Sequence, residues 1–257
     1  MRKNHFFFGY AGNKRAECVK IYDEFKAIQQ QENKIDTIYE PYCGTCAFSC
    51  YLSMQEPLRY KYILNDNNIH LIELYNIAKD EEKLNQLCLR LNALIVDIDK
   101  VKYNKMKEND TLETYIIMNS IMNIRPGLFP SDVKRTKRDY NAMKNVAIIN
   151  FLRTENITFT NTTVKKIEDE YNKPNIFSFI DPPYLTECND FYRDKDVNIF
   201  EYFFNNKLSS FDTKILIIVS DVWLMKLLFK DYIKKSYPKL YQSSKKSVNH
   251  LIIGNYL

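Results

Sequence analysis

Between residues 35 and 77 the chain runs twice through one unit: a short apolar stretch, a polar turn, then apolar residues at helical spacing. The first stretch, Ile35-Asp36-Thr37-Ile38-Tyr39-Glu40, is rich in β-branched residues and stops at Pro41, and a helical pattern follows over 45–54. The second, Tyr60-Lys61-Tyr62-Ile63-Leu64, stops at Asn65-Asp66-Asn67-Asn68. Beyond it Ile69, Leu71, Ile72, Leu74, Tyr75 and Ile77 resume the helical period. Strands separated by helices do not form tight hairpins, so this order predicts a parallel sheet covered by helices. Upstream, Val19, Ile21, Tyr22, Phe25 and Ile28 predict a helix over 15–30, after a turn containing Gly9 and Gly12.

Residues 81–151 break that rhythm. They are mostly helix-forming and polar, interrupted by Arg125-Pro126-Gly127-Leu128-Phe129-Pro130 and then a basic run, and they read as an inserted helical module. Strand signals return at 157–159, 176–180 and 215–219, and 234–241 with 248–256 predicts a closing antiparallel pair across a Ser/Lys-rich turn. The expected class is α/β, a mostly parallel doubly wound sheet with a C-terminal antiparallel strand. The expected division is 1–80, an inserted module over 81–155, and 156–257. With 45% hydrophobic residues but only 5 Gly and 8 Pro in 257 positions, the composition excludes collagenous and mostly disordered chains.

The start, Met1-Arg2-Lys3-Asn4-His5 and three Phe, does not read as a secretory signal, and no apolar run approaches the roughly 20 residues that span a bilayer. The expectation is an intracellular, cytoplasmic protein with no membrane partner. The 6 Cys are not laid out as a disulfide framework, which fits a reducing compartment. The net charge of +5 is mild, so where the charge lies matters more than its sum.

The most specific segment is Asp181-Pro182-Pro183-Tyr184, directly after the apolar run Asn175-Ile176-Phe177-Ser178-Phe179-Ile180. Carboxyl ends of parallel strands are where α/β folds bind ligands. Two prolines there fix φ, lack N–H donors and hold Asp181 extended, which leaves carbonyls and a carboxylate aimed rigidly outward. Tyr184 adds a flat face suited to stacking on a base. A planar, amine-bearing substrate fits such an array, whereas a helix-capping turn is the plainer alternative.

In this context the sequence resembles the Dam-type DNA adenine-N6 methyltransferases, whose catalytic motif is Asp-Pro-Pro-Tyr, and further segments match in order. Tyr10-Ala11-Gly12-Asn13-Lys14 is similar to the family's aromatic-Ala-Gly-Gly-Lys motif. Glu40-Pro41-Tyr42-Cys43-Gly44-Thr45-Cys46-Ala47-Phe48 is similar to its Glu-Pro-Phe-x-Gly-Gly-Gly-x-Phe loop. Leu64-Asn65-Asp66-Asn67-Asn68 resembles the acidic second motif, and 252–256 behind Lys245 and Lys246 resembles the basic loop and closing strand. The likeness covers roughly 5–80 and 156–257.

The resemblance implies a Rossmann-like class I fold with an inserted target-recognition module and S-adenosylmethionine as cofactor. It implies double-stranded DNA as partner and methyl transfer to a flipped-out adenine. It assigns Tyr10, Gly12, Lys14, Glu40, Pro41, Tyr42, Cys43, Gly44, Asp66, Thr163, Val164 and Asp181 to cofactor binding, with Asp66 on the ribose and Val164 on the adenine ring. It assigns catalysis to Asp181, Pro182, Pro183 and Tyr184. Two positions depart from the family pattern: Gly-Gly-Gly becomes Gly44-Thr45-Cys46, and the acid-aromatic pair before the catalytic strand becomes Thr163-Val164.

Between 125 and 145 lie six basic residues, Arg125, Lys134, Arg135, Lys137, Arg138 and Lys144, against the acids Asp132 and Asp139. This cluster, with Lys245 and Lys246, is the candidate nucleic-acid contact. Other readings stay open: a methyltransferase-like binding protein that has lost turnover, an RNA adenine methyltransferase, or thiol chemistry at Cys43-Gly44-Thr45-Cys46. A zinc site lacks a second spaced pair, and the 3 His are scattered; no metal is expected.

Overall fold

A computed structural model describes residues 6–10, 12–31, 34–96, 98–121, 139–162, 164, 170–183, 207–241 and 246–256. Helix α1 (Cys18–Gln31) turns Ile21, Phe25 and Ile28 inward at the spacing the sequence predicts. Strand β1 (Thr37–Glu40) is buried on both faces, and α2 (Ala47–Gln55) follows it. Strand β2 (Lys61–Asn65) leads to α3 (Ile69–Lys79), whose first turn is capped by Asn68 accepting from the His70 N–H. The crossover to β3 (Asn156–Thr160) carries α4 (Glu81–Ile95), α5 (Lys100–Met106), α6 (Leu112–Ile121), a 3-10 turn at Tyr140–Asn145 and α7 (Ile148–Thr154).

Strands β4 (Ile176–Ile180) and β5 (Lys214–Ser220) complete the parallel part, and α8 (Trp223–Leu228) precedes β6 (Ile233–Tyr241) and β7 (Lys246–Gly254). Among the described residues the sheet has seven strands in the order β3-β2-β1-β4-β5-β7-β6. β1 to β5 pair in parallel, and β7 runs antiparallel to both β5 and β6. The α/β expectation is met, including the antiparallel end. The order reverses between β1 and β4, and the carboxyl ends of strands at such a reversal are where α/β folds bind ligands. Pro238 sits in β6, where the outer edge of the sheet tolerates a missing N–H.

Side chains alternate between two cores. On β5, Leu216 and Ile218 join Phe25, Phe48 and Phe177 on one face, while Ile215, Ile217 and Val219 join Met225 and Phe229 on the other. The helices between β2 and β3 share the first core through Leu84, Leu91, Ile116, Ile148 and Phe151. The Phe151 ring meets Tyr62 of β2 edge-on at 5.1 Å.

Candidate active site

Three adjacent parallel strands each deliver an acid to the same edge: Glu40 ends β1, Asp66 follows β2 and Asp181 follows β4. The register makes this so, because Glu40 lies beside Leu64 of β2 and Tyr39 lies beside Ser178 of β4.

Asp181 Oδ2 accepts from the Lys14 ammonium at 2.6 Å, and Lys14, buried at 5% exposure, also donates to the Gly12 carbonyl at 3.2 Å. Gly12 takes φ 80, which favours glycine and lets the 10–14 segment turn back on itself. Burial pushes the Asp181 carboxyl above the usual aspartate range against the pull of Lys14. Pro182 is buried and Pro183 half-buried behind it.

Asp66 is fixed on both oxygens. Oδ2 accepts from the Gly44 N–H and Oδ1 from the Asn68 N–H, each at 2.9 Å. Burial pushes its carboxyl up to about 6, so it is mostly ionised at neutral pH. Gly44 takes φ +45, and a Cβ there would stand 3.5 Å from the Tyr10 ring. The Tyr75 hydroxyl donates to the Gly44 carbonyl. Contacts therefore join Gly12, Lys14 and Asp181 in one set and Tyr10, Gly44, Tyr75 and Asp66 in another, at the ends of neighbouring strands. Tyr42 and Val164 pack in the second core.

Glu40 is buried, and its Oε1 accepts from both the backbone N–H, at 2.9 Å, and the hydroxyl of Ser49 in the first turn of α2. This satisfies a helix N–H that has no intrahelical partner. Burial, with Asp181 adding to it, pushes the Glu40 carboxyl up to about 8. The folded chain therefore holds this proton where the unfolded chain, with an ordinary glutamate near 4.5, has released it. The stabilising contribution is complete below the unfolded value and is lost as pH rises through about 8. Thermal melts are expected to show a lower Tm at about pH 8 than at about pH 6, and Glu40→Gln, neutral throughout, flattens that slope.

Cys43 and Cys46 are buried free thiols, and the Cys46 N–H donates to the Cys43 carbonyl at 2.6 Å. Burial pushes both thiols up, which leaves little thiolate and argues against redox chemistry at this pair. Thr45 has an ordinary backbone, but Cys46, standing where the family has a glycine, is left-handed at φ 48, ψ 35. Cys46→Gly is expected to stay within about 1 kcal/mol of the parent, since relief of strain offsets a lost buried thiol. Cys46→Val puts a β-branched side chain in that conformation and is expected to cost about 2 kcal/mol or more in urea unfolding.

Two groups of residues escaped the sequence reading. Asn65 Nδ2 donates to the Pro41 and Thr162 carbonyls, both at 3.0 Å, and its Oδ1 accepts from Thr160 and Thr162. It ties the loop after β1 to the end of β3. Glu17, also buried, accepts from the Tyr237 hydroxyl at 2.5 Å, from His250 Nδ1 at 3.0 Å and from the Lys239 ammonium. Burial alone would raise its carboxyl, but His250, Lys14 and Lys239 outweigh burial and lower it to about 2. This cluster joins β6 and β7 to the Lys14–Asp181 pair, because the Glu17 N–H also donates to the Lys14 carbonyl.

Tyr184, Thr163, Arg125, Lys134, Arg135, Lys137, Arg138 and Lys245 lie outside the described residues, and Lys246 opens β7. Among the described residues no helix is long and apolar enough to cross a membrane. No group of three or more His, Cys, Asp or Glu among them could hold a metal ion.

Residues 10–130 match the family described as D12 class N6 adenine-specific DNA methyltransferase, the family that the motifs resemble. The matched span includes Lys14, Glu40, Gly44 and Asp66 and ends before Asp181. No curated protein matches the chain. Among solved structures, the N-terminal domain of human METTL16 in complex with SAH is similar at 9% identity and a TM-score of 0.37, over 95% of this chain and 70% of that one.

Proposed function

We propose that this chain, D12-class in sequence over residues 10–130, is an S-adenosylmethionine-dependent methyltransferase acting on the exocyclic amine of adenine in double-stranded DNA, within a cell compartment that holds DNA. The observation that carries the reading is the Asp181 carboxylate, clasped by buried Lys14 at the carboxyl end of β4 and flanked by Pro182 and Pro183. Methyl transfer to a base, rather than thiol chemistry, fits a strand-end site edged by carboxylates and by thiols that stay protonated.

The residues present fit the cofactor. Asp66, fixed by two backbone N–H groups beside the positive-φ Gly44, keeps lone pairs for a ribose diol, as a strand-end acid does in dinucleotide folds. Gly44 keeps the turn that its neighbours Thr45 and Cys46 put in question, so those departures leave the loop's first glycine conformation intact. When bound, S-adenosylmethionine supplies an electrophilic methyl group on a sulfonium.

The adenine amine is a weak nucleophile because its lone pair is delocalised into the ring. Asp181 and the Pro182 carbonyl accept its two N–H hydrogens and favour the tetrahedral nitrogen that develops during transfer. Lys14 holds Oδ2, so the carboxylate plane is set before the base arrives. The raised Asp181 carboxyl is also a better acceptor for the departing proton than an ordinary aspartate. Tyr184 stacks on the everted base, while Arg125, Lys134, Arg135, Lys137, Arg138, Lys245 and Lys246 take up phosphate charge that offsets the few kcal/mol of base flipping.

Calorimetry with S-adenosylmethionine, followed by labelled methyl incorporation into duplex DNA and into RNA, tests the reading. Binding with incorporation into DNA is the expected result. Incorporation into RNA alone reassigns the substrate, and no heat at saturating cofactor overturns the enzyme reading in favour of a nucleic-acid binder.

A further inference from the structure

The first helix after β5 carries a surface that the family motifs leave unassigned. On α8, Met225 is buried and Leu224 and Leu228 are partly buried against the second core, joined by Phe229 just beyond. The opposite side presents Trp223, Lys226 and Leu227, all exposed and three and four residues apart, and the exposed Lys230 opens the 3-10 turn that follows the helix. Trp223 is 74% exposed and Leu227 66% exposed. Large apolar side chains in such numbers on one helical turn indicate a contact surface, since scattered single exposures need no explanation but an adjacent pair does.

Place and charge identify the occupant. β5 runs parallel to β4, with Ile217 beside Ile180 as their last paired residues, so both strands send their following loops out at the same edge of the sheet. Trp223 follows three residues beyond Ser220, the end of β5, and so lies past the same carboxyl edge of the sheet that carries Asp181 at the end of β4. Its apolar neighbours are bracketed by ammonium groups, Lys226 and Lys230. Lys226 is held by Asp221 at 2.7 Å but remains 57% exposed. An exposed aromatic face with ammonium groups further along the same segment offers a nucleic-acid strand a surface to stack on and charge for the backbone.

We propose that Trp223 is a substrate-contacting residue that stacks on a base of the DNA strand flanking the target adenine, with Lys226 and Lys230 beside the phosphates. The inference rests on the DNA-methyltransferase reading and extends it to a residue outside the motifs. Stacking by a single aromatic side chain corresponds to about five- to a hundredfold in affinity.

Trp223 is the sole tryptophan among 257 residues, so its selectively excited emission reports this place alone. The experiment titrates the full chain, saturated with S-adenosylhomocysteine, with unmethylated duplex DNA randomised at its central positions. It reads tryptophan emission and, separately, the anisotropy of end-labelled duplex, for the parent, Trp223→Ala and Trp223→Phe. The expected result is quenched emission in the parent, a Kd raised about five- to a hundredfold in Trp223→Ala, and partial recovery in Trp223→Phe. Circular dichroism melts of all three are expected to coincide, because the side chain is exposed. If the parent binds duplex while its emission and the Trp223→Ala affinity stay unchanged, the inference is overturned and the methyltransferase reading stands. If the parent binds no duplex, both are overturned. If sedimentation shows a self-associated parent that Trp223→Ala dissociates without change in DNA affinity, the face belongs to a second copy of the chain and the inference is again overturned.

Discussion

Asp181→Asn is expected to lower kcat for methyl transfer by about 10²–10³-fold or more, with the affinity for S-adenosylhomocysteine changed by no more than about threefold. Asparagine keeps the size of the side chain and one acceptor oxygen. It loses the negative charge that strengthens the hydrogen bond to the amine as nitrogen becomes cationic, and it loses the site that takes up the proton. The effect therefore belongs to kcat rather than to binding. The same change removes the carboxylate that the buried Lys14 ammonium contacts at 2.6 Å, leaving it the weaker attraction of Glu17. A fall in Tm accompanies the kinetic loss, and the kinetics must be read well below the variant's melting range. Single-turnover transfer to duplex DNA at saturating cofactor, beside calorimetry, checks both halves. A kcat within tenfold of the parent would remove Asp181 from the chemistry.

Glu17→Ala is expected to destabilise the chain by about 3–5 kcal/mol, the range for removing one partner from a buried charged network. Three donors lose this shared acceptor at once: the Tyr237 hydroxyl, His250 Nδ1 and the Lys239 ammonium, which is itself buried enough that desolvation and Lys14 push it down. The pH dependence has a definite sign. The Glu17 carboxyl stands at about 2 in the folded chain against an ordinary 4.5, so its contribution is present above the unfolded value and is lost as pH falls through about 2. Denaturant unfolding at neutral pH reads the loss directly, and parent and variant are expected to converge on acidification. A neutral-pH difference below about 1 kcal/mol would mean that the network is not a structural tie between β6, β7 and the Lys14 segment.

The parallel part of the sheet was legible because its strands are short apolar runs with helical patterns between them, a grammar that only a crossover topology satisfies. β1, β2, β4 and β5 fall where Ile38, Ile63, Phe179 and Ile217 place them. The position of β7 between β5 and β6 was not legible, since alternation along 248–256 says which face is buried and nothing about the neighbouring strand. The acids of the site were legible as strand-end residues, and Asp66 and Asp181 stand at one edge as their motifs imply.

The partners of those acids were harder to read. Asn65 looked like part of a polar turn, yet its amide bridges segments about a hundred residues apart. Glu17 carried a signal that went unread: it precedes Ile21 and Phe25 by four and eight residues and therefore lies on the buried stripe of the α1 region. A charged residue there demands partners, but nothing local names Tyr237, Lys239 and His250, which lie more than two hundred positions away. The left-handed Cys46 was equally hidden, because a thiol in place of a glycine reads as a relaxed loop until its φ is known.

The central claim is that the site beside Lys14 and Asp181 hands a methyl group to adenine. Nucleoside mass spectrometry decides it: unmethylated duplex DNA is incubated with the chain and methyl-deuterated S-adenosylmethionine, digested, and the label located. The account predicts trideuterated N6-methyladenosine in the deoxy series with the parent and none above background with Asp181→Asn. Label on cytosine, on protein alone, or at equal levels with both chains would contradict it.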